Sequence, residues 1–383
     1  MADLKLTVGM AVYKDFANLW STVTALRMYH PEVLEQLDIV VVDNAPDTPD
    51  GERCKDFMEN WVAKQPGMGQ ARYIPFGDFN STAAPRNHVF AVAEAPNVLV
   101  MDSHVMIEPE GVRRLIEWYD DHPDTQDFFH GPLIYDDLHH PSTHFQDEWR
   151  SEMWGTWGTD ERYEYERNVT VNRSESGEVS VQVQRKECEP FEIPGQGLGL
   201  FTCRRDAWLG FNPEFRGFGG EEMYIHTKYR QMGRKVWLLP WLRWAHQFGR
   251  PGGVPYPLSV EDKFRNYIVG MTELGLKLRP AVDHFEERLG ADSVNQMLAD
   301  RGISRDSIDT GLDPAPVGGA SPPQQPQQGE QPDRDAMMQQ MMQQMQMMQV
   351  DRERLEEERN KAMEMLSQAQ SAAADSHHRR TAP

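Results

Sequence analysis

The stretch that most restricts the fold is Asn97 to Glu108, NVLVMDSHVMIE. Val98, Leu99, Val100 and Met101 form an unbroken apolar run, as in a strand covered on both faces inside a parallel sheet. Such a strand needs helices above and below it, so the chain around it must supply strand–helix–strand units. The run stops at Asp102-Ser103-His104. A carboxylate and an imidazole two residues apart, at the carboxyl end of a buried strand, stand where open α/β sheets bind ligands. Together they suit Mn²⁺ or another divalent ion beside a phosphate. Asp102 could equally cap the next segment and His104 be an ordinary surface histidine, and the tripeptide alone does not choose.

The flanking sequence supplies the required units. Leu4 to Val12 predicts a first strand, and Phe16 to Tyr29 a helix with apolar residues at helical spacing. Leu37 to Val42 reads as a buried strand ending in Asp43-Asn44, followed by a loop at Pro46, Pro49 and Gly51 and a helix over Cys54 to Val62. Ala71 to Phe76 is a third strand, Ser81 to Ala93 a helix delayed or kinked at Pro85, and Pro109 to Tyr119 another helix. The expected class is α/β, with a mostly parallel central sheet flanked by helices. No Gly-x-Gly-x-x-Gly or Walker loop follows the first strand, so a dinucleotide or P-loop site is not indicated.

Phe128 to Tyr135 predicts a further strand, and 136–168 an irregular, aromatic-rich stretch that either lines an acceptor site or forms a satellite core. Its histidines, His139, His140 and His144, match no structural zinc spacing. Val169 to Gln184 reads as a hairpin turning at Ser174 to Gly177. The glycines of Pro194 to Phe201 mean backbone passing close to a ligand or another segment. Phe211 to Glu222, FNPEFRGFGGEE, is the second informative stretch. Glu221 and Glu222 open a helix, where carboxylates either complement the dipole or, beside a sugar, orient a hydroxyl or act as a base. Lys235 to Leu239 is a strand, and His246 either completes a metal site with Asp102 and His104 or is packed and neutral. Gly249 to Pro257 is a loop able to close over a ligand, and helices follow over Phe264 to Leu274 and Val282 to Leu298.

A net charge of -21 argues against broad electrostatic attraction to nucleic acid. Three cysteines make no disulfide framework and fit a reducing compartment. No apolar run is long enough for a bilayer and no signal peptide is evident, so the expectation is a soluble protein in the cytoplasm of a bacterium or virus-infected cell.

The motifs together resemble those of GT-A fold, family 2-like glycosyltransferases. Asp102-Ser103-His104 resembles the Asp-x-His motif of the polypeptide N-acetylgalactosaminyltransferases, Ala245-His246-Gln247-Phe248 the setting of their third metal ligand, and Phe218-Gly219-Gly220-Glu221-Glu222 their Trp-Gly-Gly-Glu-Asn motif. Val12-Tyr13, Val41-Val42-Asp43-Asn44 and Ala84-Pro85-Arg86-Asn87 resemble the wider family's nucleotide- and diphosphate-side segments. The resemblance implies Mn²⁺ or Mg²⁺ on Asp102, His104 and His246. It implies a UDP-sugar donor held by Ala11, Val12, Tyr13, Asp43, Arg86, Asn87, Asp102, Ser103 and Arg250. It implies chemistry at Glu222, Glu221 and Arg86, with Glu222 at the position of the base in inverting relatives; retaining relatives have Asn there. The acceptors that follow are a protein Ser or Thr hydroxyl, a hydroxymethylated or otherwise modified DNA base, and a glycan or small molecule. A non-catalytic nucleotide-sugar-binding protein is the other function class.

On this reading residues 1–275 are the catalytic domain, 1–105 forming the nucleotide half and 106–275 the half that completes the metal and acceptor site. Residues 276–310 are a helical extension, 311–333 a disordered linker rich in Pro, Gly and Gln, and 370–383 a disordered tail. Residues 334–369 carry Met338, Met341, Met345 and Met348 at three-four spacing, as a helix or coiled coil for self-association or a partner.

Overall fold

A computed structural model describes residues 3–150, 153–163, 168–173, 179–184, 188–250 and 253–313. The described residues all belong to one compact unit, Met1–Gly319. The predicted Met/Gln-rich helix and tail, and the linker beyond 313, lie outside the described residues.

The first half alternates as expected: β1 (Leu6–Val12), α1 (Phe16–Tyr29), β2 (Leu37–Asp43), α2 (Pro49–Asp56), β3 (Gln70–Pro75), α3 (Ala83–Val92) and β4 (Asn97–Asp102). Strands β1, β2, β3 and β4 are parallel, with β1 between β2 and β4 and β3 beyond β2. The two-residue period of a strand sends alternate side chains to opposite faces. Leu6, Val8, Met10, Ile39, Val41, Leu99 and Met101 pack on one face with Leu19, Val23 and Leu26 of α1. Val40, Val42, Val98 and Val100 face the other way, toward Val89 and Phe90 of α3. Helix α3 comes so close to β1 that a Cβ on Gly9 would stand 2.1 Å from a Val89 methyl.

The second half adds β5 (Val105–Ile107), α4 (Gly111–Asp121), β6 (Phe128–His130), β7 (Leu133–Ile134), β8 (Pro141–Ser142), β9 (His144–Arg150) and β10 (Met153–Gly158). Then come β11 (Asn168–Arg173), β12 (Val179–Gln184), β13 (Phe191–Glu192), β14 (Leu200–Arg204), α5 (Glu221–Gln231), β15 (Val236–Leu238) and β16 (Trp244–His246). Helices α6 (Val260–Glu273), α7 (Arg279–Leu289) and α8 (Ala291–Ala299) close the unit. The central sheet runs β13-β15-β6-β14-β4-β1-β2-β3, with β14 antiparallel to both its neighbours. A smaller sheet, β5-β16-β7-β8, is built from the segments that follow β4, β6 and β15. This is the GT-A arrangement, a mixed α/β sheet flanked by helices. Among the described residues no helix is long and apolar enough to cross a membrane.

Four segments depart from the sequence expectation. Helix α2 starts at Pro49, not Cys54, because Thr48 caps it by accepting from the Gly51 amide at 3.2 Å and Pro49 suits a first turn. It then widens into a π-turn at Phe57–Trp61. The single strand expected over Phe128 to Tyr135 is two strands broken at Gly131, where a Cβ would lie 1.6 Å from the Leu242 carbonyl oxygen. Within 136–168 the described residues are not all irregular: β9 and β10 pair antiparallel with a register shift between Trp154 and Thr156, and Phe145, Trp154 and Tyr163 are core residues. Finally, Leu312 exchanges backbone hydrogen bonds with Gly275 and Lys277, so the chain is still clipped to the preceding helices where the linker was expected to begin.

Candidate active site

The carboxyl ends of β1 and β4 open into a cleft of about 700 Å³, including space open to solvent. Ala11, Val12 and Tyr13 line it from the end of β1, and Asp102, Ser103 and His104 from the end of β4. Arg86 enters from α3, and Arg250 and Tyr256 from the loop after β16. The sequence expectation thus converges here from four separated segments.

Three side chains meet at the β4 end. His104 Nε2 and His246 Nε2 lie 3.1 Å apart, and each is 3.7 Å from Asp102 Oδ2. The backbone explains the meeting. Strand β16 pairs antiparallel with β5 and places His246 opposite Val105, beside His104. The Gln247 amide donates to the His104 carbonyl at 3.1 Å, and the Thr22 hydroxyl donates to the Ser103 carbonyl at 2.8 Å, so the turn is held from both sides. Gly199 of the glycine run makes room: a Cβ there would meet Trp244 at 2.9 Å and the His246 ring at 3.1 Å. Those glycines therefore serve close approach to another segment.

The donor set fits a divalent ion. Ligand atoms at roughly 2.0–2.3 Å from an ion stand about 3–3.5 Å from one another. The triangle of 3.1, 3.7 and 3.7 Å is nearly that size before any adjustment. No other set of three potential ligands converges in this way among the described residues. Two imidazoles and one carboxylate suit Mn²⁺ better than Mg²⁺, which prefers oxygen. Burial pushes His104 down to about 3, keeping the imidazole neutral as a ligand must be. Burial would raise Asp102, but Arg86, with the two imidazoles, outweighs it and holds the carboxylate well below the usual range. The Arg250 guanidinium also reaches His104 Nε2.

Arg86 is the hinge of the charge network. It is buried, and its Nη2 donates to Asp102 Oδ1 at 2.8 Å while Nη1 lies 3.5 Å from Glu221 Oε1. The Thr82 hydroxyl donates to the same Glu221 oxygen. Glu221 is almost wholly buried and therefore holds Arg86 from behind. The Phe-Gly-Gly turn delivers it: Gly219 and Gly220 adopt φ of +98° and +92°, where a side chain would be strained. Asn266 clamps that turn through the carbonyls of Arg216 and Gly219 at 2.7 and 2.9 Å. Glu222, the next residue, is half-buried and does not line the cleft; burial and the adjacent Glu221 push it up to about 7.

Two expected donor-binding residues stand elsewhere. Asp43 is buried behind the cleft wall, accepting from the Tyr73 hydroxyl and the Ala45 amide, each at 2.8 Å. Its neighbour Asn44 lines the cleft and accepts from the Ser81 amide at 3.1 Å. Asn87 points to the segment after β14, donating to the Phe211 carbonyl at 3.0 Å and accepting from the Trp208 indole at 3.1 Å. Both residues shape the wall and do not enter the cleft. The sequence reading did not single out Thr82 or Asn80, which line the cleft. Their only signal was a polar start to a predicted helix.

The family model described as glycosyl transferase family 2 matches residues 7–174, the part carrying the β1 to β4 end of the cleft. Among solved structures, GalNAc-T7 with UDP, GalNAc and Mn²⁺ aligns at 14% identity and a TM-score of 0.53, covering 80% of this chain. The chain spans 56% of the length of that protein. The S. aureus TarS fragment 1–349 with UDP-GlcNAc aligns at 12% identity and a TM-score of 0.42, covering 79% of this chain and 77% of that one. No curated protein matches the sequence.

Proposed function

We propose that this GT-A, family 2-like chain transfers a sugar from a UDP-sugar to a hydroxyl acceptor with the help of a divalent ion. The observation that carries the reading is the meeting of Asp102, His104 and His246 at the β4 end of the cleft. The family 2 match supports glycosyl transfer, and the fold likeness is to a protein whose structure holds UDP and Mn²⁺. A protein Ser or Thr hydroxyl is the first acceptor to test, on the motif resemblance.

A divalent ion on those three ligands would stabilise the negative charge growing on the departing diphosphate. The other tasks fall to the chain. The segment Ala11 to Tyr13 walls the nucleotide end. Arg86, fixed between Asp102 and Glu221, places a permanent positive charge at the cleft without reorganisation. By its position in the motif of inverting relatives, Glu222 is the group to take the proton of the acceptor hydroxyl as its oxygen bonds to the anomeric carbon and the bond to the diphosphate breaks; it stands outside the cleft lining, so the acceptor has to reach it from that side. Its affinity for a proton near neutrality suits a base.

The test is a melting shift with UDP, with and without Mn²⁺, followed by release of UDP from a panel of UDP-sugars. Mn²⁺ should enlarge the UDP shift, because a ligand binding only the folded state raises the transition by mass action. A UDP shift indifferent to Mn²⁺, with no sugar released, would leave only the non-catalytic binding protein. Ending the chain after Asp313 should leave UDP release unchanged, since Leu312 still pairs with Gly275 and Asp313 with Lys277. A large loss in that shortened chain would place residues beyond 313 in the machinery.

A further inference from the structure

A second groove, of about 1010 Å³ including space open to solvent, runs over α1, α2 and the π-turn that follows it. Its rings are Phe16, Trp20, Phe57 and Trp61. The chain has ten tryptophans. Only Trp20 and Trp61 stand among its exposed large apolar side chains, at 47% and 50%, and they share this groove. The other eight tryptophans are buried or partly buried, so two half-bare indoles in one place call for an occupant.

The rings are braced. Phe16 meets Phe57 edge-on at 5.9 Å, and Phe57 stacks on Trp61 at 5.9 Å and 22°. The Arg53 guanidinium lies 4.1 Å over Phe16 and that of Arg27 5.3 Å over Trp61. The π-turn is a second, independent mark. The regular helix gives way to it after Asp56, and such turns are rare and frequent at functional sites. Glu52, Arg53 and Asp56 complete the groove with polar groups beside the rings.

We propose that this groove binds an oligosaccharide. A pyranose offers an apolar C–H face, which an exposed indole covers, and a rim of hydroxyls, which carboxylates and a guanidinium bond. Other occupants fit the chemistry less well. Glu52 and Asp56 balance the guanidinium groups of Arg53 and Arg27, so the groove has no excess positive charge to hold a phosphate-rich chain. Glu52 and Asp56 beside the rings are of the residue types that protein–protein interface cores are depleted in. The groove also adjoins the cleft: Phe16 begins α1, and the residue before it, Asp15, lines the cleft. A glycan held on the rings is thereby kept beside the place where sugar is handled. The proposal does not depend on metal binding or on transfer in the cleft.

Tryptophan fluorescence of the full chain, titrated with cello-, malto-, chito- and manno-oligosaccharides, tests it. At least one series should give a saturable change, with affinity on the order of millimolar or tighter. Asp102→Asn should leave that affinity unchanged. Trp61→Ala and Trp20→Ala should each weaken it roughly tenfold or more, read by calorimetry so that the lost fluorophore does not matter. Both side chains are half exposed, so circular dichroism should show a native fold in each variant. No saturable response in any series, or one insensitive to both tryptophans, overturns the proposal. So does a response abolished by Asp102→Asn, which would put the sugar in the cleft instead.

Discussion

Asp102→Asn should cut divalent-ion-dependent turnover by roughly 10³-fold or more, because it removes a charged metal ligand and the charge stabilisation routed through it. The amide keeps the shape of the carboxylate, and Arg86 keeps Glu221 at 3.5 Å, so the fold survives. It does not survive unweakened. A buried guanidinium that loses a 2.8 Å carboxylate partner costs about 1–3 kcal/mol. The pH dependence identifies the cause. The Asp102 carboxyl is held below its unfolded value, so its contribution is present above the unfolded pKa and disappears as pH falls through the folded one. The melting difference between wild type and variant should therefore be full at neutral pH and shrink in acid. UDP alone should still shift the variant, whereas Mn²⁺ should add nothing. A variant that keeps its Mn²⁺ increment would remove Asp102 from the ligand set.

Glu222→Gln carries the second large effect, a fall in kcat of roughly 10²–10⁴ with donor affinity little changed, provided the product is inverted. Product anomericity, read by NMR, comes first: a retained configuration eliminates the base, as in the relatives that have Asn at this position. With an inverted product, wild-type rate should rise with pH through about 7, where the carboxyl gives up its proton. The same shift has the opposite sign for stability. A carboxyl whose folded pKa is raised supports the fold while protonated, below its unfolded value, and loses that support as pH rises through about 7. Glu222→Gln should thus melt a few degrees above wild type at about pH 8 and level with it at about pH 4. A variant slower at every pH but never more stable in alkali would show that burial does not strain this carboxylate. A variant with near-normal kcat would move the base elsewhere.

Legibility in the sequence followed the physics of each segment. Strands β2 and β4 were readable because burial on both faces leaves apolar runs, Ile39 to Val42 and Val98 to Met101, while β1 was read from its β-rich content around Thr7 and Gly9. The Asp102 and His104 pair was visible for the same reason, as polar residues ending such a run. His246 was reachable only by motif resemblance, since its place depends on β16 pairing with β5 across more than a hundred residues. The β9–β10 pair stayed hidden because its strands mix buried aromatics with carboxylates and its register shifts beside Gly155. The start of α2 was hidden by Pro49, which ends helices in their interior and opens them at the first turn. Nothing local could show Glu221 bracing Arg86, a contact between two helix starts 135 residues apart.

Strand β14 sets an order on the birth of this protein. It enters the sheet between β4 and β6, so the open edge of the amino-terminal half is closed by residues that follow almost a hundred positions later. During synthesis the β3-β2-β1-β4 layer therefore waits with β4 unpaired on one side until Arg204 has left the ribosome. An apolar strand with a bare edge is the template on which chains aggregate. The amino-terminal half is thus a poor candidate for expression by itself, and a stop codon before Leu200 should yield insoluble material.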